Sequence, residues 1–416
     1  MMTLALASLR ARALPVILVI VALTASLVLL LSIDRIQKAT ENGFTQSISG
    51  VDLIIGPRSG GIELVLYTGF HLGRPTNNIT MQTVEAVSKR PEIDWLVPIA
   101  LGDSHRGHRV IATTVDYFAH VRYAGDRPLA FAEGKPFADL NEVVLGARVA
   151  EKLGYTLGTE LYLTHGSGQG LGKTHDDFTF TVTGILEPTG TPNDSAVFVG
   201  LDGYELIHLG WQSGSRVFSL DNLDLNQLPP DALTPKTVTA AYVGLKSKLG
   251  IFQLMRDLAA YPEEAISAVI PGVALAELWS IVGMVDRVFQ FLSGMIIVIA
   301  LIGLITMTLT GLDARTREMT ILRAVGATPL HLASWVMLEA LAIGVLSSLA
   351  ALGVLTAVTA LASEPLTEAL GIIPEIAFLT SSEAITLSAV IFAGLLSSLW
   401  PAIMVYRRSL QQGLLD

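Results

Sequence analysis

The placement of its apolar runs limits this chain more than any other feature. Leu14 to Ile33 is unbroken, and three further runs, Val288 to Leu312, Leu332 to Ala362 and Ala384 to Tyr406, crowd into the last third. About 20 residues rising 1.5 Å each cross a hydrocarbon core, and a helix apolar all round belongs in lipid or in a deep core. Composition points to lipid, because only 15% of residues are charged against about 25% in a soluble globular protein. The expected fold class is membrane α-helical, with one span, a long intervening domain and then three spans. A secretory signal has an apolar core of about 7–15 residues followed by a small-residue cleavage site. The first run is longer and ends in Leu29-Leu30-Leu31-Ser32-Ile33-Asp34, so it reads as an uncleaved anchor. The third run exceeds what a span needs and is expected to tilt, kink or extend past the bilayer.

Short loops give the orientation, since Lys and Arg there stay on the cytoplasmic side. Arg10 and Arg12 precede the first run, Arg315, Arg317 and Arg323 follow the second, and Arg407 and Arg408 follow the fourth. The loop Ser363 to Glu383 has no Lys or Arg and carries Glu364, Glu368, Glu375 and Glu383. Both termini are therefore expected in the cytoplasm, and a bacterial inner membrane is the expected location. The chain divides into a cytoplasmic start (1–13), a first span (14–33), an extracytoplasmic domain with stalk helices (34–287) and a second span (288–312). A cytoplasmic loop (313–331), a third span (332–362), an extracytoplasmic loop (363–383), a fourth span (384–406) and a cytoplasmic tail (407–416) complete it.

The outer segment reads as a large mixed α/β domain. Strand-like runs at Val51 to Ile55, Arg109 to Thr113, Glu142 to Leu145, Phe178 to Leu186 and Ala196 to Val199 are punctuated by Gly, Pro and Asn. Helices are expected over Asn78 to Arg90, Ala147 to Leu153 and Leu249 to Ala260. The last has Ile251, Leu254, Met255 and Leu258 at the spacing of a half-buried helix. Leu228 to Pro235 reads as a linker, while Asp34 to Gly43 and Gly272 to Arg287 read as stalk extensions of the first two spans.

Several activities are excluded or weakened. A net charge of −10 disfavours nucleic acid, whose phosphates need Lys and Arg. The absence of cysteine removes disulfides, thiolate catalysis and Cys-ligated zinc. Gly166-Ser167-Gly168-Gln169-Gly170-Leu171-Gly172-Lys173-Thr174 suggests a phosphate loop, but that motif requires four residues between its first Gly and Gly-Lys-Thr. Ser167 stands where the first Gly should be, so the stretch reads as a glycine loop and the chain is not its own ATPase. No catalytic constellation emerges. His105 and His108, taken to share one loop, and His165, His175, Asp176 and Asp177, with His208 following, have side chains that suit Zn²⁺. A zinc site over His165, His175, Asp176 and Asp177 is an expectation set against the plainer one of exposed loop histidines. Glu339, two turns into the third span, is either a polar contact inside the helix bundle or at a dimer seam, or a side chain reaching back to the headgroups. Gly344, Ser347, Ser348, Ala351, Gly394 and Ser398 would permit close helix packing.

Three stretches carry a family resemblance. They are Asp313-Ala314-Arg315-Thr316-Arg317-Glu318-Met319-Thr320-Ile321-Leu322-Arg323-Ala324-Val325-Gly326-Ala327-Thr328; Ile111 to Phe118 with Gly134-Lys135-Pro136-Phe137 and Val143 to Gly146; and Trp400-Pro401-Ala402 to Arg407-Arg408. With the one-plus-three topology, the chain resembles the FtsX/MacB-like ABC transporter permease family, which includes lipoprotein-release and MacB-type permeases. The resemblance implies a separate cytoplasmic ABC ATPase that binds the ATP, a second permease subunit forming a homo- or heterodimer, and an outer domain moved through stalk helices. It also allows a periplasmic partner protein. The coupling segment would be a short amphipathic helix. Arg315, Arg317, Glu318 and Arg323 would frame the contact, and Ile321, Leu322 and Val325 would offer an apolar face to a groove. Gly326 would stop that helix, and Pro329 would begin the next. The contrasting reading is a membrane-anchored periplasmic sensor or metal-linked binding protein without transport.

Overall fold

The computed structural model describes residues 13–166, 178–209, 211–212, 215–216, 229, 232–370 and 378–412. The chain forms two compact units, a helical one (1–38, 282–364 and 374–416) and an α/β one (39–281 and 365–373).

Ten helices are formed among the described residues: α1 (Ala13–Ser47), α2 (Gly61–Gly69), α3 (Met81–Ser88), α4 (Asp116–His120), α5 (Ala147–Leu153), α6 (Leu201–Leu209), α7 (Ile251–Ala259), α8 (Pro271–Ala324), α9 (Pro329–Leu370) and α10 (Ser381–Gln412). Four of them, α1, α8, α9 and α10, are long and apolar enough to cross a membrane. Each runs past the span read from sequence, because helix-forming residues continue beyond the apolar run. The expected loop at 363–383 is instead helical at both ends, through Leu370 and again from Ser381. The expected separate helix in the loop 313–331 is also corrected. Nothing between Thr310 and Ala324 breaks α8, and the first stop is Gly326, whose φ of +100° suits a residue without Cβ.

Within the helical unit, apolar side chains of different spans close together in layers. Val16 and Leu23 of α1 group with Ala300, Leu304, Ala340 and Ile343. Leu27 and Leu31 group with Ala351, Leu352, Leu355 and Leu387. Lipid supplies no hydrophobic drive between spans, so contacts of this kind rest on close packing.

The α/β unit is built on an eleven-stranded sheet: β1 (Leu53–Pro57), β2 (Ile93–His105), β3 (His108–Thr113), β4 (Phe131–Gly134), β5 (Glu142–Leu145), β6 (Glu160–Leu161), β7 (Thr164–His165), β8 (Phe180–Leu186), β9 (Ala196–Gly200), β10 (Ala240–Leu245) and β11 (Ile266–Val269). Its order is β11-β1-β10-β2-β3-β9-β5-β8-β4, with β7 added on β2 and β6 on β8. The β3–β9 and β5–β8 pairs are parallel, so the sheet is mixed. Both faces are covered. Leu53, Ile55, Val110, Val143, Leu145, Val197 and Val243 enter one core, while Ile54, Ile111, Val144, Phe198 and Tyr242 enter the other. Burial on both faces is why these strands read as continuous apolar runs rather than alternating ones. Helix α7 buries Ile251, Leu254 and Leu258, three of the four positions that its spacing selected.

His105 and His108 correct the reading of one shared loop. They face each other across a tight hairpin between β2 and β3, turned by Arg106 at φ +47° and Gly107 at φ +88°, as expected for a primed turn with both central residues left-handed. His105 is buried. Its Nδ1 donates to the Tyr162 carbonyl at 2.7 Å, and its Nε2 accepts from the Tyr155 hydroxyl at 3.0 Å. Burial holds its pKa below the ordinary histidine value.

His71, just after α2, provides an acid-sensitive point. Its Nε2 is buried and has no hydrogen-bond partner among the described residues. Burial first, and then the nearby Arg109 guanidinium, lower its pKa from 6.5 to about 4. Below pH 6.5 the unfolded chain therefore binds a proton that the folded chain refuses, so stability falls as pH drops through that window. The expected loss in the α/β unit is about 2 kcal/mol between pH 7 and pH 5. His71 also has a left-handed φ of +57°, which Asn tolerates. Thermal unfolding of the His71→Asn chain should show this part of the acid sensitivity gone. Unchanged pH dependence would assign it elsewhere.

Candidate functional site

The segment expected to couple with a partner forms the end of α8. Backbone bonding continues through the Val325 N–H, which donates to the Ile321 carbonyl at 3.1 Å. Ile321 and Val325 lie one turn apart on one face, and they are 57% and 83% exposed. Both lie beyond Leu312, where the apolar run of this helix ends in the sequence. Arg315, Arg317, Glu318, Leu322 and Arg323 lie on the same helical stretch, with their side chains outside the described residues. The backbone thus places the expected apolar residues on adjacent turns, and the two whose exposure is described present their side chains outward. Apolar side chains displayed at a helix end can dock into a partner groove.

Glu339 is 4% exposed and so is enclosed within the helical unit. Ser293, Ser347, Ser348 and Ser398 are also buried there. A second polar feature of the helical unit was not read from sequence. Arg35 of α1 forms a two-pronged pair with Glu383 of α10, Nε to Oε1 at 2.5 Å and Nη2 to Oε2 at 3.1 Å. Glu383 also accepts from the Thr380 N–H at 2.8 Å, and the Thr380 hydroxyl accepts from the Glu383 N–H at 3.4 Å. That reciprocal arrangement is a capping box. The Thr-x-x-Glu spacing at the start of an apolar run was the available signal.

Of the expected metal-binding residues, His175, Asp176 and Asp177 lie outside the described residues, as does the glycine loop 167–174. His165 is placed on β7 opposite Asp103 of β2, with His208 of α6 near the other carboxylate oxygen and its ring edge-on to that of His165. Burial alone would lower the His208 pKa, but hydrogen bonding to Asp103 and that residue's charge raise it overall.

Comparison with known proteins bears on both units. Residues 13–247 match the MacB-like periplasmic core domain, and residues 290–410 match the FtsX-like permease C-terminal domain. Among solved structures, the periplasmic region of MacB from Actinobacillus actinomycetemcomitans is similar at 12% identity and a TM-score of 0.33. The match covers 55% of this chain and 94% of that one. The extracellular domain of the noncanonic ABC-type transporter YknZ from Gram-positive bacteria is similar at 14% identity and a TM-score of 0.30, covering 53% of this chain and 98% of that one. No curated protein matches the sequence.

Proposed function

This chain belongs to the MacB/FtsX-type ABC permease family, and we propose that it couples ATP hydrolysis by a separate cytoplasmic ATPase to movement of its own extracytoplasmic α/β unit. The carrying observation is the exposed apolar pair Ile321 and Val325 at the end of α8. Helix α8 is continuous from Pro271 to Ala324, so a displacement at its coupling end has no internal loop to absorb it. In this reading Leu322 completes the docking face, while Arg315, Arg317, Glu318 and Arg323 frame it. A second permease subunit completes the assembly, as a homo- or heterodimer, with both termini of each chain in the cytoplasm of a bacterial inner membrane. The work done outside is export, handling of lipid or lipoprotein, or signalling to a periplasmic partner protein.

The proposed orientation is open to a direct test, because the cysteine-free chain needs no background removal. A membrane-impermeant thiol reagent applied to intact cells should label a cysteine placed at Ser363 and spare one at Thr316 or Ser409. The reverse pattern would overturn both the orientation and the coupling role. The partner itself should co-purify as an ABC ATPase when the chain is isolated from its native membrane. A chain that never brings one down would favour the sensor reading.

A further inference from the structure

Strand β2 contains one residue that its apolar surroundings do not explain. Asp103 is fully buried, and a carboxylate out of water is costly unless a charge or strong donor meets it. Two imidazoles do so from different elements. His165, its cross-strand partner on β7, sets Nδ1 at 3.1 Å from Oδ1. His208, in the last turn of α6, sets Nε2 at 3.6 Å from Oδ2. One ligand atom from each residue fits within 4.8 Å of the others.

The local sequence holds this geometry in place. The His208 Nδ1 lies 2.7 Å from the Tyr204 carbonyl. A carbonyl only accepts, so Nδ1 carries the hydrogen and Nε2 is the nitrogen turned to the carboxylate. In a neutral ring that atom bears a lone pair, and two electron-rich atoms facing each other call for a proton or a metal cation between them. Zinc-binding histidines are oriented by just such a bond from the outer ring nitrogen to a backbone carbonyl. The Tyr204 ring packs on His208 with centroids 4.5 Å apart. A Cβ on Gly102 would come within 2.6 Å of the Tyr204 hydroxyl, so glycine next to Asp103 lets the tyrosine lie against the strand.

We propose that Asp103, His165 and His208 form a binding site for a divalent transition-metal ion, best matched by Zn²⁺. Two imidazole nitrogens and a carboxylate suit zinc, whereas Mg²⁺ and Ca²⁺ prefer all-oxygen shells. Bonds of 2.0–2.1 Å in a tetrahedron put ligand atoms about 3.3 Å apart. Each imidazole lies near that distance from one oxygen of Asp103, 3.1 Å from Oδ1 and 3.6 Å from Oδ2. An ion would draw the three ligand atoms in from the 4.8 Å that now encloses them. Three protein ligands leave a fourth position for water or another donor. His165 has a side chain 51% exposed, so an ion has a path in from solvent. When bound, it would pin β7 to α6 through β2.

The test uses the full chain in detergent, stripped with chelator, loaded with Zn²⁺ and dialysed, with metal counted per chain by mass spectrometry. Wild type should retain one ion, and so should His120→Ala, a control whose ring instead stacks on Trp95. His165→Ala and His208→Ala should each bind at least about 100-fold more weakly, since even outer-shell changes cost 10–100-fold. His165→Ala removes a half-exposed ring, so loss of metal there is not confused with misfolding, and circular dichroism checks both variants. Zn²⁺ should raise the Tm of wild type and not of His165→Ala, because binding to the folded state alone stabilises it. The site is overturned if wild type retains no zinc, if either variant retains as much as wild type, or if His120→Ala loses it too.

Discussion

Glu383→Ala should destabilise the helical unit by about 3–5 kcal/mol, the range for breaking a buried ion pair by removing one partner. The magnitude follows from burial. The Arg35 side chain is 10% exposed and that of Glu383 is not exposed at all, so solvent cannot take over from the lost carboxylate. A surface pair of the same geometry would matter by no more than about 1 kcal/mol. The variant also removes the carboxylate half of the capping box, the bond from the Thr380 N–H. Arg35→Ala should cost less than Glu383→Ala, since the capping contacts survive. The double variant Arg35→Leu with Glu383→Leu should recover much of the loss, because apolar replacement of a whole buried pair is often neutral or stabilising. Thermal unfolding of the purified chain measures all three. Losses in the single variants that simply add in the double variant would show that the pair itself contributes little. The pair joins α1 to α10, the first and last of the four long helices, near the end of α1 that leads into the α/β unit in sequence.

Leu322→Asp should abolish productive association with the ATPase. Truncating a central apolar anchor at an interface costs about 2 kcal/mol or more, which is roughly a thirtyfold loss of affinity. Aspartate adds the desolvation of a charge to that loss. Helix α8 should still form, since an aspartate in its last turns costs only about a few tenths of a kcal/mol in propensity and macrodipole. Membrane insertion and the α/β unit should therefore be unaffected. The ATPase should fail to co-purify, or its turnover should no longer respond to the permease. Unchanged association and turnover would reduce the segment to a signal for membrane topology.

How legible these features were in the sequence depended on the range of the interaction. The spans were legible because each is fixed by its own composition, and β5 and β9 were legible because burial on both faces makes them continuously apolar. β2 was missed although it is the longest strand among the described residues, since Asp94, Pro98, Gly102, Asp103 and Ser104 interrupt its apolar pattern. The β2–β3 hairpin was missed for a similar reason. Its turn is Arg-Gly, and an arginine gives no sign that its backbone will be left-handed. The capping box at Thr380 was visible in principle, but Glu383 was read as one of four loop acids. The Arg35 partnership was not visible, because only folding brings α1 to α10. The same holds for the histidines. His165 was chosen for its neighbours in sequence, yet its described partners, Asp103 and His208, come from a strand and a helix that are remote along the chain.

The central claim is that ATP hydrolysis in the cytoplasm moves the α/β unit. The most direct measurement places a spin label at Ser88, an exposed position on α3, introduced as the one cysteine of the chain. The permease–ATPase assembly is reconstituted in lipid nanodiscs, and the distance between the labels of two permease copies is recorded by pulsed electron paramagnetic resonance. A heterodimer would require the second label on the partner subunit. The coupling account predicts that the distance distribution shifts between the nucleotide-free state and the state trapped with ATP and vanadate, and that Leu322→Asp eliminates the shift. A distribution that stays the same in both states, with the ATPase bound and turning over, would contradict it.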